Sequence, residues 1–331
     1  MRSPITDPLV EANALARAGK AVDAVEYLQK EIDGGNADAA AMLASWRLSG
    51  QIIRRDLAAV RELLGKASSL GCKEATAGFM ALLANGAGGS GRRWQEALSL
   101  LSTEAKHDPM ASREYELISD MKLDDQGHPR EAATGQLVSN EFRIATIPDF
   151  LSKKECQFLH ALADPLLRPA TVGDPRTGRI VRDPVRRARS TGFPFVAERP
   201  FVHAINRRIA AATATSYEQG EPLQVISYQR GEEFRLHTDA VTHDTNQRIM
   251  TFLVTIEDNF AGGETEFPRI DLKFRGKLGQ ALFFHNLDDS GRANPKAWHA
   301  GLPVTNGRKA ILSKWIRERP LDLSGPKGRP L

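Results

Sequence analysis

The pattern ADAAAMLASWRLSG at residues 37–50 returns as KEATAGFMALLANG at residues 73–86, displaced by 36 positions. Ala39 answers Ala75, Leu43 answers Phe79 and Gly50 answers Gly86. A second helix-like segment follows each copy, DLAAVRELLGKAS at 56–68 and RWQEALSLLSTEA at 93–105, where the offset grows to 38 because the AGGSG loop is longer. An earlier stretch, AVDAVEYLQKEIDGG at 21–35, matches the second helix alone. Helix–turn–helix units repeating at this period signal an α-solenoid, because each unit leaves an apolar face that only its neighbour can bury. Small residues let the paired helices approach closely, and the glycines end them. Leu28, Ala39, Ala40, Leu43, Trp46 and Leu48 form the expected buried face of the first pair.

These repeats resemble the Sel-one-type branch of the tetratricopeptide superfamily. They read either as a scaffold that recruits a peptide or protein, or as a helical cap on whatever follows. The chain has 331 residues, enough for two cores. A polar stretch, KLDDQGHPREAATG at 122–135, separates two rhythms. The expected division is a helical repeat domain at 1–125, a linker at 126–138 and a second domain at 139–331. Hydrophobic residues make up 41% and charged residues 26%, as in an ordinary globular chain. No run reaches the ~18 apolar residues of a membrane span, and MRSPITDPLVEANALARAGK lacks a signal-peptide core, so a cytoplasmic protein without a membrane partner is expected. Cys72 and Cys156 are far apart and lack CxxC spacing, which fits a reduced compartment. A net charge of +4 is not accompanied by any nucleic-acid-binding motif, so nucleic acid is not an expected partner.

Past the polar stretch the rhythm changes. FRIATIPDFL (142–151) reads as a strand entering a turn, and SKKECQFLHALADPLL (152–167) as a helix with Ser152 and Glu155 forming a capping box. Residues 199–216 read as a second helix. From 222 onward come short β-prone runs, LQVISYQ, FRLHTD, RIMTFLVTI, ETEF, LKF, QALFFHN and KAILSKWIR, punctuated by glycine and proline. Many short strands with turns between them suggest a sandwich or barrel.

Within FRLHTDA, His237 and Asp239 are two apart, so on a strand both side chains leave one face. A third ligand must come from elsewhere, and His299, 60 residues beyond Asp239, is far enough to sit on another strand. Two histidines and a carboxylate leave open positions on an octahedral metal, the arrangement used by non-haem Fe(II) oxygenases. If 309–316 is a strand, Lys309, Ile311, Ser313 and Trp315 share a face. A lysine turned into a core needs an anionic partner. Composition alone leaves Arg308 and Lys314 equally eligible for that role.

The ordered series YQRGEEFRLHTDA, RIMTFLVTI, NFAGGETEFP, GQALFFHN, WHAGLPV and GRKAILSKWI resembles the prolyl 4-hydroxylase-type 2-oxoglutarate/Fe(II) dioxygenases. The likeness runs from about residue 142 to 318 and includes RARSTGF at 187–193. It implies a multidomain α + β chain, an N-terminal α-solenoid of helical hairpins followed by a double-stranded β-helix (jelly roll) with flanking helices. It implies Fe(II) on His237, Asp239 and His299, with Lys309 on the distal carboxylate of 2-oxoglutarate. Tyr228 matches a position that can contact the cosubstrate, and Thr251 is a weaker candidate for the same. O2 is the other cosubstrate, ascorbate the implied reductant, and succinate and CO2 the co-products. The implied substrate is a prolyl or similar residue of a protein or peptide, recruited by the repeats. A free amino acid or small molecule, and a non-catalytic binding protein on the same fold, are the alternatives.

Arg248 opens the strand after the HxD loop, where the family often has an arginine; it reads either as facing substrate or as a solvated strand start. Residues 174–192 carry arginines 176, 179, 182, 186, 187 and 189 against Asp174 and Asp183. The corresponding region of the family covers the substrate, so the segment reads either as a basic lid, with Arg186 and Arg189 candidate substrate contacts, or as a hydrated loop without a partner. His243 is read as a loop residue, and His285 as a structural histidine with Asn286 as partner. Gly262 and Gly263 are read as a tight turn.

Overall fold

The computed structural model describes residues 8–139, 142–173, 179–241 and 244–322. Seven helices come first among the described residues: α1 (Pro8–Arg17), α2 (Ala21–Asp33), α3 (Ala37–Ser49), α4 (Leu57–Ser69), α5 (Lys73–Asn85), α6 (Trp94–Glu104) and α7 (Pro109–Asp120). Each packs on the next. The side chain of Asn36 caps α3, and those of Asp56 and Asp108 cap α4 and α7. Gly50 and Gly86, the matched glycines, end α3 and α5 in the left-handed region at φ 75° and 86°. A side chain there would be strained, so the repeat keeps glycine. Leu28, Ala39, Ala40, Leu43 and Trp46 are buried together as expected, while Leu48 is half-buried.

The β-rich half begins with β1 (Gln136–Ser139) and β2 (Ile144–Ile147), so residues 136–138 of the expected linker belong to a sheet. Next come α8 (Lys153–Ala163), β3 (Arg168–Pro169), β4 (Thr171–Gly173), β5 (Ile180–Arg182), β6 (Arg186–Arg187), β7 (Arg189–Phe193) and α9 (Pro200–Ala212). Ser152 and Glu155 form the capping box that starts α8. The remaining strands are β8 (Leu223–Tyr228), β9 (Glu233–His237), β10 (Arg248–Glu257), β11 (Phe260–Gly262), β12 (Thr265–Phe267), β13 (Leu272–Phe274), β14 (Ala281–His285), β15 (His299–Gly301), β16 (Val304–Gly307) and β17 (Lys309–Arg317). Eight strands form one antiparallel sheet in the order β1-β2-β14-β10-β17-β8-β7-β3, and five form another in the order β13-β12-β15-β9-β6. The architecture is a jelly roll flanked by helices, not a closed barrel.

One hydrophobic core runs through both halves. Leu83 of α5, Trp94 and Leu101 of α6 and Leu117 of α7 join Phe158 of α8, Phe201 and Ile205 of α9, Phe252 of β10 and Leu312 of β17. Each such large side chain contributes roughly 1.5–3 kcal/mol when fully buried. A separate core holds α1 to α4 together and reaches Ala75 of α5. Polar ties reinforce the shared core. Glu114, wholly buried, accepts from Arg199 Nε at 2.6 Å and from the Phe201 amide at 3.1 Å. Asn85 Nδ2 donates to the Phe195 carbonyl at 2.7 Å.

Candidate metal centre

His237 ends β9 and His299 begins β15, and the two residues lie directly opposite in the antiparallel register. Asp239 follows β9 by two residues and is 5% exposed. One ligand atom from each of the three lies within 4.8 Å of the others. Nε2 of His237 is 3.7 Å from Asp239 Oδ1, and Nε2 of His299 is 3.7 Å from Asp239 Oδ2.

The tautomers suit a metal. His237 Nδ1 donates to the Arg235 carbonyl at 2.7 Å, and His299 Nδ1 to the Ala297 carbonyl at 3.0 Å. Both Nε2 lone pairs are thereby turned to the common point, as expected of histidine ligands oriented through their other nitrogen. Phe234 stacks on His237 with 3.5 Å between ring centroids, which fixes the imidazole plane. Burial, and then His299 nearby, push His237 down to about 4, so its ring is neutral at pH 7. Burial works against the Asp239 carboxylate, yet His299, His237 and the Thr251 hydroxyl outweigh it and hold its carboxyl below the usual range. The donor set, two imidazoles and a carboxylate on one side of a cavity, fits Fe(II).

The cavity opens to solvent and lies between the two sheets. Tyr228, Phe234, Thr265, Lys309, Ser313 and Trp315 help line it. Lys309, Ile311, Ser313 and Trp315 all face it, which is the period of two expected for β17. Lys309 is 5% exposed, and burial pushes its ammonium down to about 8. It donates to the Gly263 carbonyl at 2.7 Å. The glycine turn makes that bond possible, because Gly262 and Gly263 have φ of 67° and 69° and a Cβ on Gly262 would sit 2.5 Å from the Pro303 carbonyl. Among the described residues no carboxylate pairs with Lys309. Tyr228 lies opposite Lys309 in the β8–β17 register, with Nζ 5.5 Å from the ring centroid. Arg308 turns away from the cavity to Glu257 and Asp164, and Lys314 is absent from its lining.

Thr251 does not line the cavity. Its hydroxyl donates to Asp239 Oδ2 at 2.6 Å, and Asn286 Nδ2 donates to Thr251 Oγ1 at 3.0 Å. Its place is behind the carboxylate rather than against a cosubstrate. Asn286, expected to partner His285, serves Thr251 instead, and His285 is left half-buried in a surface groove with Leu137 and Arg143. Arg248 is also outside the lining. Glu221 accepts from its Nε at 2.6 Å and its Nη2 at 2.9 Å, and its guanidinium covers the Trp315 ring at 3.8 Å. Arg186 lies over Phe234 at 5.4 Å, and Arg189 donates to the Leu167 carbonyl at 3.0 Å. His243 and Arg176 lie outside the described residues. Sequence reasoning missed the roles of Phe234 and Asn286, each of which acts through a contact that local pattern does not reveal.

Comparison with known proteins gives the family. Residues 223–317 match the 2OG-Fe(II) oxygenase superfamily. Prolyl 4-hydroxylase 1 of Arabidopsis thaliana is 32% identical over 203 residues, 56% of this chain and 72% of that protein. The chain belongs to the prolyl 4-hydroxylase-type 2-oxoglutarate/Fe(II) oxygenases. Prolyl 4-hydroxylase subunit alpha-1 of Rattus norvegicus is 34% identical over 193 residues, 56% of this chain but only 36% of that subunit. The viral collagen prolyl hydroxylase of Paramecium Bursaria Chlorella virus-1, solved with 2OG, is 28% identical, with a TM-score of 0.43 over 55% of this chain and 99% of that one. Members of the oxygenase family use Fe(II) and 2-oxoglutarate. Among the described residues of this one, no helix is long and apolar enough to cross a membrane.

Proposed function

We propose that this chain hydroxylates a prolyl residue of a protein or peptide, with His237, Asp239 and His299 holding Fe(II) and Lys309 holding the distal carboxylate of 2-oxoglutarate. The observation that carries this reading is the pairing of two features across one cavity. Three ligand atoms converge within 4.8 Å, and a buried ammonium that, among the described residues, has no carboxylate within ion-pair distance lines the same cavity. A diacid chelated at one end by the metal would satisfy that ammonium at the other.

When bound, Fe(II) supplies the open positions for 2-oxoglutarate and O2 and couples loss of CO2 to hydroxylation of an unactivated C–H bond. The protein's own share is binding, orientation and exclusion of water. Lys309 fixes the diacid's reach, with the Tyr228 hydroxyl a second contact for it. The apolar walls Ile226, Leu253 and Ile311 keep water out. Thr251 and Asn286 keep Asp239 turned to the metal. Ascorbate would serve as the reductant that restores ferrous iron. The helical repeats, fused to the catalytic core, would recruit or position the protein target. The free thiols of Cys72 and Cys156 accord with a cytoplasmic setting.

The test is succinate formation from 2-oxoglutarate under Fe(II) and air, with proline-containing peptides followed for a mass gain of one oxygen. Absence of succinate with correctly folded, iron-loaded protein rejects the oxygenase chemistry. Succinate without any peptide modification, but with a modified free amino acid, rejects the peptide substrate.

A further inference from the structure

Residues 186–193 cross from one sheet to the other. On β6, Arg186 lies opposite Phe234 and Arg187 opposite Glu233 of β9, in the five-stranded sheet. On β7, Arg189 lies opposite Ser227 of β8, in the eight-stranded sheet. Only Ala188 separates the two strands. The metal-site cavity lies between the same neighbours, since β8 contributes Ile226 and Tyr228 and β9 contributes Phe234 and His237. The crossing therefore flanks the cavity on the His237 side.

Its surroundings are strongly basic. Arg168, Arg182, Arg187, Arg189, Arg230 and Arg235 are all exposed. Glu233 serves Arg187 at 3.3 Å and Arg235 at 3.4 Å, and Asp183 serves Arg186 at 3.6 Å. Among the described residues, Arg168, Arg182, Arg189 and Arg230 have no carboxylate within ion-pair distance. Apolar side chains are set among them, with Val172 42% exposed, Val181 40%, Val185 37% and Leu236 47%.

We propose that this crossing is a binding surface for an acidic polypeptide, so that the prolyl residue delivered to the cavity is flanked by aspartate or glutamate. The reaction part of that statement rests on the function proposed above; the binding surface does not. Arginine offers paired donors to carboxylates, and clustered positive charge steers an anionic partner to the cavity mouth. The exposed valines and Leu236 suit the apolar side chains of an extended peptide. A single-stranded nucleic acid would instead need exposed aromatic faces for its bases. Among the described residues here, Phe234 is already covered by Arg186 and His237, and Tyr228 and Phe193 are buried.

The test uses the full chain and two fluorescein-labelled peptides of equal length, one repeating Glu-Glu-Pro and the other Gln-Gln-Pro. Fluorescence anisotropy at low salt is expected to show the acidic peptide bound about tenfold more tightly, and the advantage to shrink at roughly 0.2 M NaCl. Arg187→Glu combined with Arg189→Glu is expected to abolish the preference, and Arg182→Glu with Arg230→Glu to weaken it should the first pair not fold. Equal binding of the two peptides in the unmodified chain overturns the proposal. So does tighter binding of a labelled single-stranded oligonucleotide than of the acidic peptide. Peptide selectivity without succinate formation supports the surface and overturns the oxygenase chemistry, and succinate without selectivity does the reverse.

Discussion

Thr251 donates its hydroxyl to Asp239 Oδ2 at 2.6 Å, across the gap between β10 and the turn after β9. The bond is 12 residues long in sequence and wholly buried. It holds Oδ2, the oxygen nearer His299, and so fixes the carboxylate plane with Oδ1 toward His237. Asn286, in turn, locks the Thr251 rotamer. Removing a group that orients a ligand typically lowers metal affinity 10–100-fold.

Thr251→Val keeps the side-chain shape and deletes the donor. Fe(II) affinity, read by metal titration, is expected to fall by roughly tenfold or more, with Thr251→Ser recovering most of it. His237→Ala and Asp239→Ala should abolish turnover at any practical iron concentration. Unchanged affinity in Thr251→Val would mean that the carboxylate is held by backbone geometry alone.

Lys309→Ala is expected to raise the KM for 2-oxoglutarate far more than it lowers kcat, because the lost contact is the same in ground and transition states. The pH dependence carries the same signature. Burial holds the free ammonium near about 8, so its charge is present below that pH and fades above it. Affinity for 2-oxoglutarate should therefore weaken as pH rises through about 8 in the native chain. Isothermal titration across pH 7 to 10 checks the point, and a flat profile would place the diacid elsewhere.

What the sequence disclosed and what it withheld follow from range. His237 with Asp239, and Lys309 with Ile311, Ser313 and Trp315, were readable because alternate positions of an extended chain set side chains on one face without reference to any partner. Gly50 and Gly86 were readable because a helix end demands a left-handed residue locally. Strands β3 to β7 were not, since each has only two to five residues; β6 and β7 pair because β9 and β8 offer edges, β3 adds to β7, and β4 pairs with β5. Nor was the support of Asp239 by Thr251 and Asn286, which lie 35 residues apart and on adjacent strands β10 and β14 or just past them. The fusion of α5 to α7 with α8 and α9 left no local trace either, because an apolar helix face does not name its partner.

Acid should destabilise the metal-free chain through His237. Its folded value of about 4 lies below the ordinary 6.5, so the unfolded chain binds the proton more readily. Stability from this group is intact above about 6.5 and declines as pH falls toward about 4. Thermal melts of the metal-free protein between these limits should show a smaller decline for His237→Asn than for the native chain. An equal decline in both would assign acid sensitivity to other groups.

Leu101 in α6 is fully buried in the core that also contains Phe158, Phe201 and Phe252. Leu101→Ala would leave a cavity there, a change that costs about 2–5 kcal/mol when the surroundings relax only partly. The loss should appear in the jelly roll and not only in the helices, because the core is continuous. Hydrogen exchange by mass spectrometry is expected to show faster exchange in peptides from β10 and β17 as well as from α6. Glu114→Gln should act in the same direction by weakening the tie to Arg199, whose guanidinium would then lose its charged partner. A chain beginning at residue 126 would expose Phe158 and Phe201 to water and should not fold to a compact state. Exchange confined to α6 in Leu101→Ala, together with a stable fragment from residue 126, would show two independent folding units and refute the shared core as a source of catalytic-half stability.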